Sequence, residues 1–159
     1  MKYCLKNFIA DSINNGVDGI IIPDVPTEEY DTFFSEDTGT LATILLTTPT
    51  SSIERIKLID STSTGFVYCV SVIGTTGMRK QFGQDVLNNL QRTYSNIVKN
   101  KMMIGFGIAD GESIKTFSPY CDGLIVGSAV IKKLFEDDSV FSQTIKLVKQ
   151  LSDACSGVE

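Results

Sequence analysis

The sequence predicts an α/β fold built on a parallel sheet, and three features carry that prediction. Five short apolar, β-branched runs recur along the 159 residues, at 18–23, 41–47, 65–72, 101–105 and 123–126. Each reads as a near-continuous hydrophobic strand, the pattern of a parallel sheet covered on both faces. Stretches of helical periodicity separate the runs, and strand–helix alternation at this short period marks β/α units. Two runs end in small residues and then enter a helix: Met103-Ile104-Gly105-Phe106-Gly107-Ile108 and Asp122-Gly123-Leu124-Ile125-Val126-Gly127-Ser128. Backbone N–H groups at such helix starts face outward and suit an anion.

A leading helix is expected over 5–15, with Leu5, Phe8, Ile9 and Ile13 near helical spacing and Gly16 to stop it. The first strand run closes on Pro23-Asp24-Val25-Pro26, and Thr27-Glu28-Glu29 then reads as a helix start with acids in its first turn. After the second strand, 50–60 opens with Ser/Thr caps and carries Ile53, Ile56 and Ile59. After the third, 84–99 carries Val86, Leu87, Leu90, Tyr94, Ile97 and Val98 at helical spacing. Helices at 111–118, 129–136 and 140–152 complete the set, the first with Asp110 as its N-cap. No linker or low-complexity segment divides the chain, so 1–159 is read as a single domain. A full eight-unit barrel takes roughly 250 residues. Five units behind one helix are therefore either a smaller open α/β fold or part of a barrel.

Composition narrows the function. The chain is 42% hydrophobic and 21% charged, enough apolar content for a real core. A net charge of −5 without a basic patch argues against nucleic acid and anionic membrane as partners. An anionic ligand would have to be held by local dipoles. The four cysteines, Cys4, Cys69, Cys121 and Cys155, form no CxxC pair, and there is no His. Zinc spacing is therefore absent, no metal is expected, and reduced thiols in a cytoplasm are the simplest reading. The start of the sequence lacks a long apolar stretch, and no run approaches a membrane span. Without His, acid–base chemistry would fall to carboxylates, Tyr, Cys or Lys.

Each motif carries two readings. Gly107 lets a phosphate approach the backbone next to the N–H of Ile108, or it makes a plain tight turn. Gly127-Ser128 opens a helix whose first-turn N–H groups and hydroxyl suit phosphate, or Ser128 is an ordinary cap. The two motifs end neighbouring strands late in the chain, where phosphate sites of parallel barrels gather, and together they favour phosphate. No Lys or Arg lies within either motif, so backbone N–H groups would carry the anion. Gly74-Thr75-Thr76-Gly77-Met78-Arg79 is a lid over the ligand or a surface loop. Asp24 is a site group at a strand end or a turn residue. Tyr68 points to the ligand mouth or into the core. No pair of carboxylates at neighbouring strand ends emerges, since Asp110 reads as a cap and Glu28 and Glu29 as exposed helix acids.

Residues 16–128 resemble the alpha chain of tryptophan synthase. The matching segments are Gly16 through Pro26, Gly65-Phe66-Val67-Tyr68 with Val70-Ser71, Gly74-Thr75-Thr76-Gly77, Gly105-Phe106-Gly107-Ile108 and Asp122 through Ser128. The family is a (β/α)8 TIM barrel, so the resemblance implies a partial barrel with units corresponding to strands 4–8. It also implies tryptophan biosynthesis: a lyase that cleaves indole-3-glycerol phosphate to indole and glyceraldehyde 3-phosphate. The partner would be a beta chain that holds pyridoxal phosphate; no cofactor is expected in this chain. By resemblance, Gly77, Gly107, Gly127 and Ser128 contact the substrate phosphate. Leu46, Tyr68, Phe106 and Ile108 line the indole-glycerol pocket, Thr76 sits in the lid, and Asp24 couples to the beta chain.

The family's catalytic Glu and Asp, on and just after its second strand, have no counterpart here. Each lost acid–base group costs about 10²–10⁴ in rate. The alternatives are a catalytically silent half-barrel that binds a phosphate ligand or the beta chain, or a truncated gene product. Open sheet edges at 19–23 and 123–126 are expected to leave the chain marginally stable, aggregating or paired with another chain.

Overall fold

Alternating strands and helices lie where the periodicity puts them, in a computed structural model that describes residues 4–30, 38–71, 83–105 and 107–156. Helix α1 (Leu5–Asn14) ends where Gly16 takes a φ of 77°, a conformation that costs other residues. Strand β1 (Gly19–Ile21) leads through a turn at 23–25 into a single 3-10 turn, Thr27–Glu29. Then come β2 (Ala42–Thr47), α2 (Ile53–Thr62), β3 (Phe66–Val70), α3 (Gln84–Tyr94) and β4 (Lys101–Gly105). Helix α4 (Gly111–Phe117), a 3-10 turn at Ser118–Tyr120, β5 (Gly123–Ile125), α5 (Ser128–Glu136) and α6 (Ser142–Ser156) follow.

The five strands form one sheet in the order β1-β2-β3-β4-β5, and every pairing is parallel. All five therefore point their carboxyl ends the same way. Among the described residues, β1 and β5 are the two edges.

One face of the sheet is sealed. Leu45, Val67, Cys69, Met102 and Ile104 point from the strands into a core with Ile56 and Ile59 of α2, Leu90 of α3, Ile114 and Phe117 of α4 and Leu151 of α6. Each large apolar side chain buried this way contributes about 1.5–3 kcal/mol. The other face differs from the sequence expectation. The alternate residues Leu46, Phe66, Tyr68, Val70, Met103 and Ile125 are only half-buried, and Ile44, packed beside Gly19 and Gly65, is the buried apolar exception, so most of this face is open. Continuous hydrophobicity reports what a face can bury; it does not report what is there to bury it.

Helix bounds moved where polar side chains capture backbone groups. α3 stops at Tyr94, short of the expected 99, and Val98 lies 87% exposed. The cause is Asp60, whose carboxylate takes the amides of Val98, Lys99 and Asn100 at 2.8, 2.9 and 2.9 Å. α2 begins at Ile53 because Ser52 caps it through Arg55 N, and Ser51 Oγ accepts Thr48 N in the turn before. α6 begins at Ser142 because Asp137 and Asp138 accept the preceding and first-turn amides. Asp110 caps α4 as expected, accepting Ser113 N at 2.8 Å and Ser113 Oγ at 2.7 Å.

Candidate functional site

The site is built where the open face meets the carboxyl ends of the strands. Cross-strand register sets Leu46, Tyr68, Met103 and Gly123 in one row across β2 to β5. The next open-face row toward the carboxyl ends is Val70, Gly105 and Ile125. Side chains of the first row lean over the glycines. A Cβ on Gly105 would overlap the Tyr68 ring and hydroxyl, and one on Gly123 would lie 2.5 Å from Met103 Sδ. Both glycines therefore leave room for a larger neighbour, and Tyr68 lies flat along the open face toward the carboxyl end. The sequence allows Tyr68 either the mouth or the core; its ring lies on the open face, half-buried. Burial raises its hydroxyl pKa, so it is a neutral donor near pH 7.

Two backbone features lie beyond this row. Gly105 pairs with Ile125, and Gly107 and Gly127 each follow two residues later, so the two turns leave adjacent strands at the same level. Gly107 has φ 78° and is exposed. Gly127 is the N-cap of α5, and its carbonyl accepts the amides of Val130 and Ile131 at 3.0 and 3.1 Å. Ser128 is thus the first helical residue, not the cap. The amides of Ser128 and Ala129 precede any carbonyl of their own helix that could accept them. The chain before Gly107 is fixed from below, because Gly105 O accepts Ser71 Oγ at 3.2 Å and Ser71 is buried.

The remaining sequence candidates divide. Leu46 is half-buried in the row beside Tyr68. Ile108, expected to line the pocket, is 5% exposed and packs in the helix-side core with Ile104 and Phe117. Its side chain is on the wrong side of the sheet for a pocket wall. Asp24 is exposed in the turn after β1, at the carboxyl end but along the far edge from Gly107 and Gly127. Thr76, Gly77 and Phe106, with the whole 74–79 motif, lie outside the described residues. Met103, Val70 and Ile125 were not singled out from sequence. Strand parity with Tyr68 is the signal that finds them.

The titratable groups here do not make an acid–base pair. Asp24 and Asp110 follow strands three positions apart in the sheet, about 14 Å at the usual strand spacing. Asp110 is held below the usual carboxylate range by the Ser113 side chain and amide, which suits a cap and not a proton donor. Burial pushes the Cys69 thiol up and the Cys121 thiol up to about 11, so neither is a thiolate near neutral pH.

A one-sided parallel β/α sheet, with glycine turns and a helix start at the carboxyl ends of its last strands, has the layout of part of a β/α barrel. The model of the tryptophan synthase alpha chain family matches residues 1–157, and the chain belongs to that family. It is 36% identical to the alpha chain of Petrotoga mobilis over 154 residues, covering 96% of this chain and 59% of that one. It is 42% identical over 151 residues to the alpha chain of Clostridium beijerinckii, covering 94% of this chain and 56% of the relative. A solved structure of the tryptophan synthase α2β2 complex from Pyrococcus furiosus superposes with a TM-score of 0.81 at 32% identity, over 94% of this chain and 61% of that one. The chain therefore spans about three-fifths of the length of the relatives it matches.

Proposed function

We propose that this chain is the phosphate-holding part of a tryptophan synthase alpha chain acting in the cytoplasm on indole-3-glycerol phosphate. In this reading the amides around Gly107 and those of Ser128 and Ala129 hold the phosphate, with the α5 dipole favouring the anion. Leu46 and Tyr68 contact the indole and glyceryl parts. Gly77, Thr76 and Phe106 keep the phosphate, lid and pocket roles that the resemblance gives them, and Asp24 faces a beta chain that carries pyridoxal phosphate.

The observation that carries the reading is the level pairing of Gly107 and Gly127 at the ends of adjacent strands, above an open apolar row. Cleavage needs one group to protonate indole C3 and another to take the glyceryl hydroxyl proton. No described carboxylate is suited to either role beside that row, so the chain binds the ester and does not cleave it unaided.

Titration with indole-3-propanol phosphate, followed by calorimetry, tests this. Saturable binding is expected, and Ser128→Asp, which sets a carboxylate against those amides, should abolish it. No indole should be released from indole-3-glycerol phosphate by the chain alone. Absent binding, or binding untouched by Ser128→Asp, refutes the phosphate site. Indole release by the chain alone refutes the missing-acid argument.

A further inference from the structure

We infer that Met103 is a specificity-determining residue: its thioether is the floor on which the ring end of the ester comes to rest, and its height above the sheet decides how bulky a ring the site admits. The inference rests on the phosphate reading above and deepens it. Met103 stands on the open face of β4, half-buried, between Tyr68 on β3 and Gly123 on β5. Gly107 follows Met103 by four residues, and Gly127 follows Gly123 by four. The two turns proposed to hold the phosphate therefore stand over this pair of residues. Four residues of strand rise about 13 Å, and the turns shorten that span. A three-carbon ester carrying a fused bicyclic ring fills such a span. With its phosphate end fixed by the turns, its ring meets Met103.

Both ends of the span are pinned. At the lower end, the Asp122 carboxylate accepts Met102 N at 2.9 Å and Lys101 Nζ at 2.9 Å, and Asp122 N donates to Met102 O at 2.9 Å. These bonds lock the start of β4 against the start of β5. At the upper end, Gly105 O accepts Ser71 Oγ at 3.2 Å, on the strand side of Gly107. The backbone thus sets the distance from the turns to the floor, and what can adjust is the unbranched Met103 side chain.

Gly123 decides how that side chain lies. A Cβ on Gly123 would stand 2.5 Å from Met103 Sδ and 3.5 Å from Met103 Cε, so the thioether occupies the place a β5 side chain would take. Met103 therefore lies sideways over β5, within its own row, and leaves the space above to the ligand. Tyr68 differs, because it leans over Gly105, one row higher. A thioether packs well against an aromatic ring and follows its edge. A methyl group added at Gly123 would lift the sulfur toward the ligand. Gly123 is not in the left-handed region, and the group displaced is the end of a flexible side chain, so the fold should bear the change.

Calorimetric titration of the 159-residue chain with two esters tests this: indole-3-propanol phosphate, which has the ring, and glycerol 3-phosphate, which lacks it. Excess bulk of about one methylene in an apolar pocket discriminates roughly 10–200-fold. Gly123→Ala and Met103→Phe should therefore each weaken the indole ester at least tenfold and change glycerol 3-phosphate less than twofold. Met103→Ala added to Gly123→Ala removes the lifted thioether and should return the indole ester to within threefold of the unsubstituted chain. Met103→Ala alone only removes atoms, which keeps the test valid if Gly123→Ala loses structure. It should favour the 6-chloroindole ester over the indole ester at least fivefold more than the unsubstituted chain does. An indole ester indifferent to Gly123→Ala and Met103→Phe, equal losses for both esters, no recovery in the double variant, or no gain for the chloro ester overturns the inference. Glycerol 3-phosphate binding that survives in every form separates those results from failure of the phosphate reading, in which the unsubstituted chain binds neither ester.

Discussion

Asp60→Ala should be among the most damaging single substitutions in the described fold. Asp60 ends the last full turn of α2 and is 3% exposed. Its two carboxylate oxygens accept four N–H groups: Val98 N at 2.8 Å, Lys99 N at 2.9 Å, Asn100 N at 2.9 Å and Asn100 Nδ2 at 3.0 Å. These bonds tie the end of α2 to the segment that feeds β4. A hydrogen bond to a charged group contributes about 1.5–3 kcal/mol, and orphaned donors add a desolvation cost that water at exposed Val98 and Lys99 partly relieves. The bonds are not additive, so the expected loss is about 3–5 kcal/mol. Asp60→Asn keeps one acceptor oxygen and loses the charge, for an expected loss of about 1–2 kcal/mol.

The pH dependence follows with a definite sign. Burial alone pushes the Asp60 carboxyl up, but the amides of Lys99, Val98 and Asn100 and the Asn100 side chain outweigh it and hold the pKa below the usual range. A carboxylate with a depressed folded pKa stabilises the protein fully above the unfolded value, near 4, and that contribution disappears as pH falls through the folded value. Urea unfolding by circular dichroism at pH 7, 5 and 3 measures both effects. The unsubstituted chain should lose stability between pH 5 and 3, and Asp60→Asn should lose less over that interval. A cost below about 0.5 kcal/mol for Asp60→Ala, the level of an ordinary surface change, refutes the reasoning. An identical acid slope in the Asn variant refutes the linkage.

Gly105→Ala should destabilise by about 1–3 kcal/mol, because the new methyl meets the Tyr68 ring. In the Gly105→Ala/Tyr68→Ala double variant most of that cost should vanish, so a coupling energy near zero in the urea cycle would show the ring lies elsewhere. Asp110→Ala should cost about 0.5–2 kcal/mol through loss of the α4 cap on Ser113. If its urea midpoint equals that of the unsubstituted chain at pH 7, the cap is not stabilising.

Strand positions were legible because they rest on short β-branched runs, which need no knowledge of the partner. The 101–105 strand matches its expected bounds, and the other four runs extend one to three residues beyond the observed strands. Helix ends were less legible because they depend on side chains distant in sequence. Nothing local to 95–100 announces that a carboxylate at position 60 will capture its amides. The turn at Gly107 was legible from its glycine and its place after a strand. Ile108 lies four residues after Ile104 and shares its parity, and that is the signal that sets it in the helix-side core.

On the proposed reading, the asymmetry of the sheet separates binding from catalysis in this chain. A phosphate held by main-chain amides needs only two neighbouring strand ends, and β4 with β5 supplies both. Proton transfer at indole C3 and at the glyceryl hydroxyl needs side chains that reach the same ligand from across it. An open sheet approaches its ligand from one side only, and the open row here, Leu46, Tyr68 and Met103, holds no carboxylate. The groups that complete the reaction must therefore arrive with whatever covers that row. On this argument adding catalytic carboxylates to the five-stranded sheet itself, for instance Leu46→Glu, restores no indole release. Indole release from Leu46→Glu alone, measured against the unsubstituted chain, would show that geometry from one side suffices.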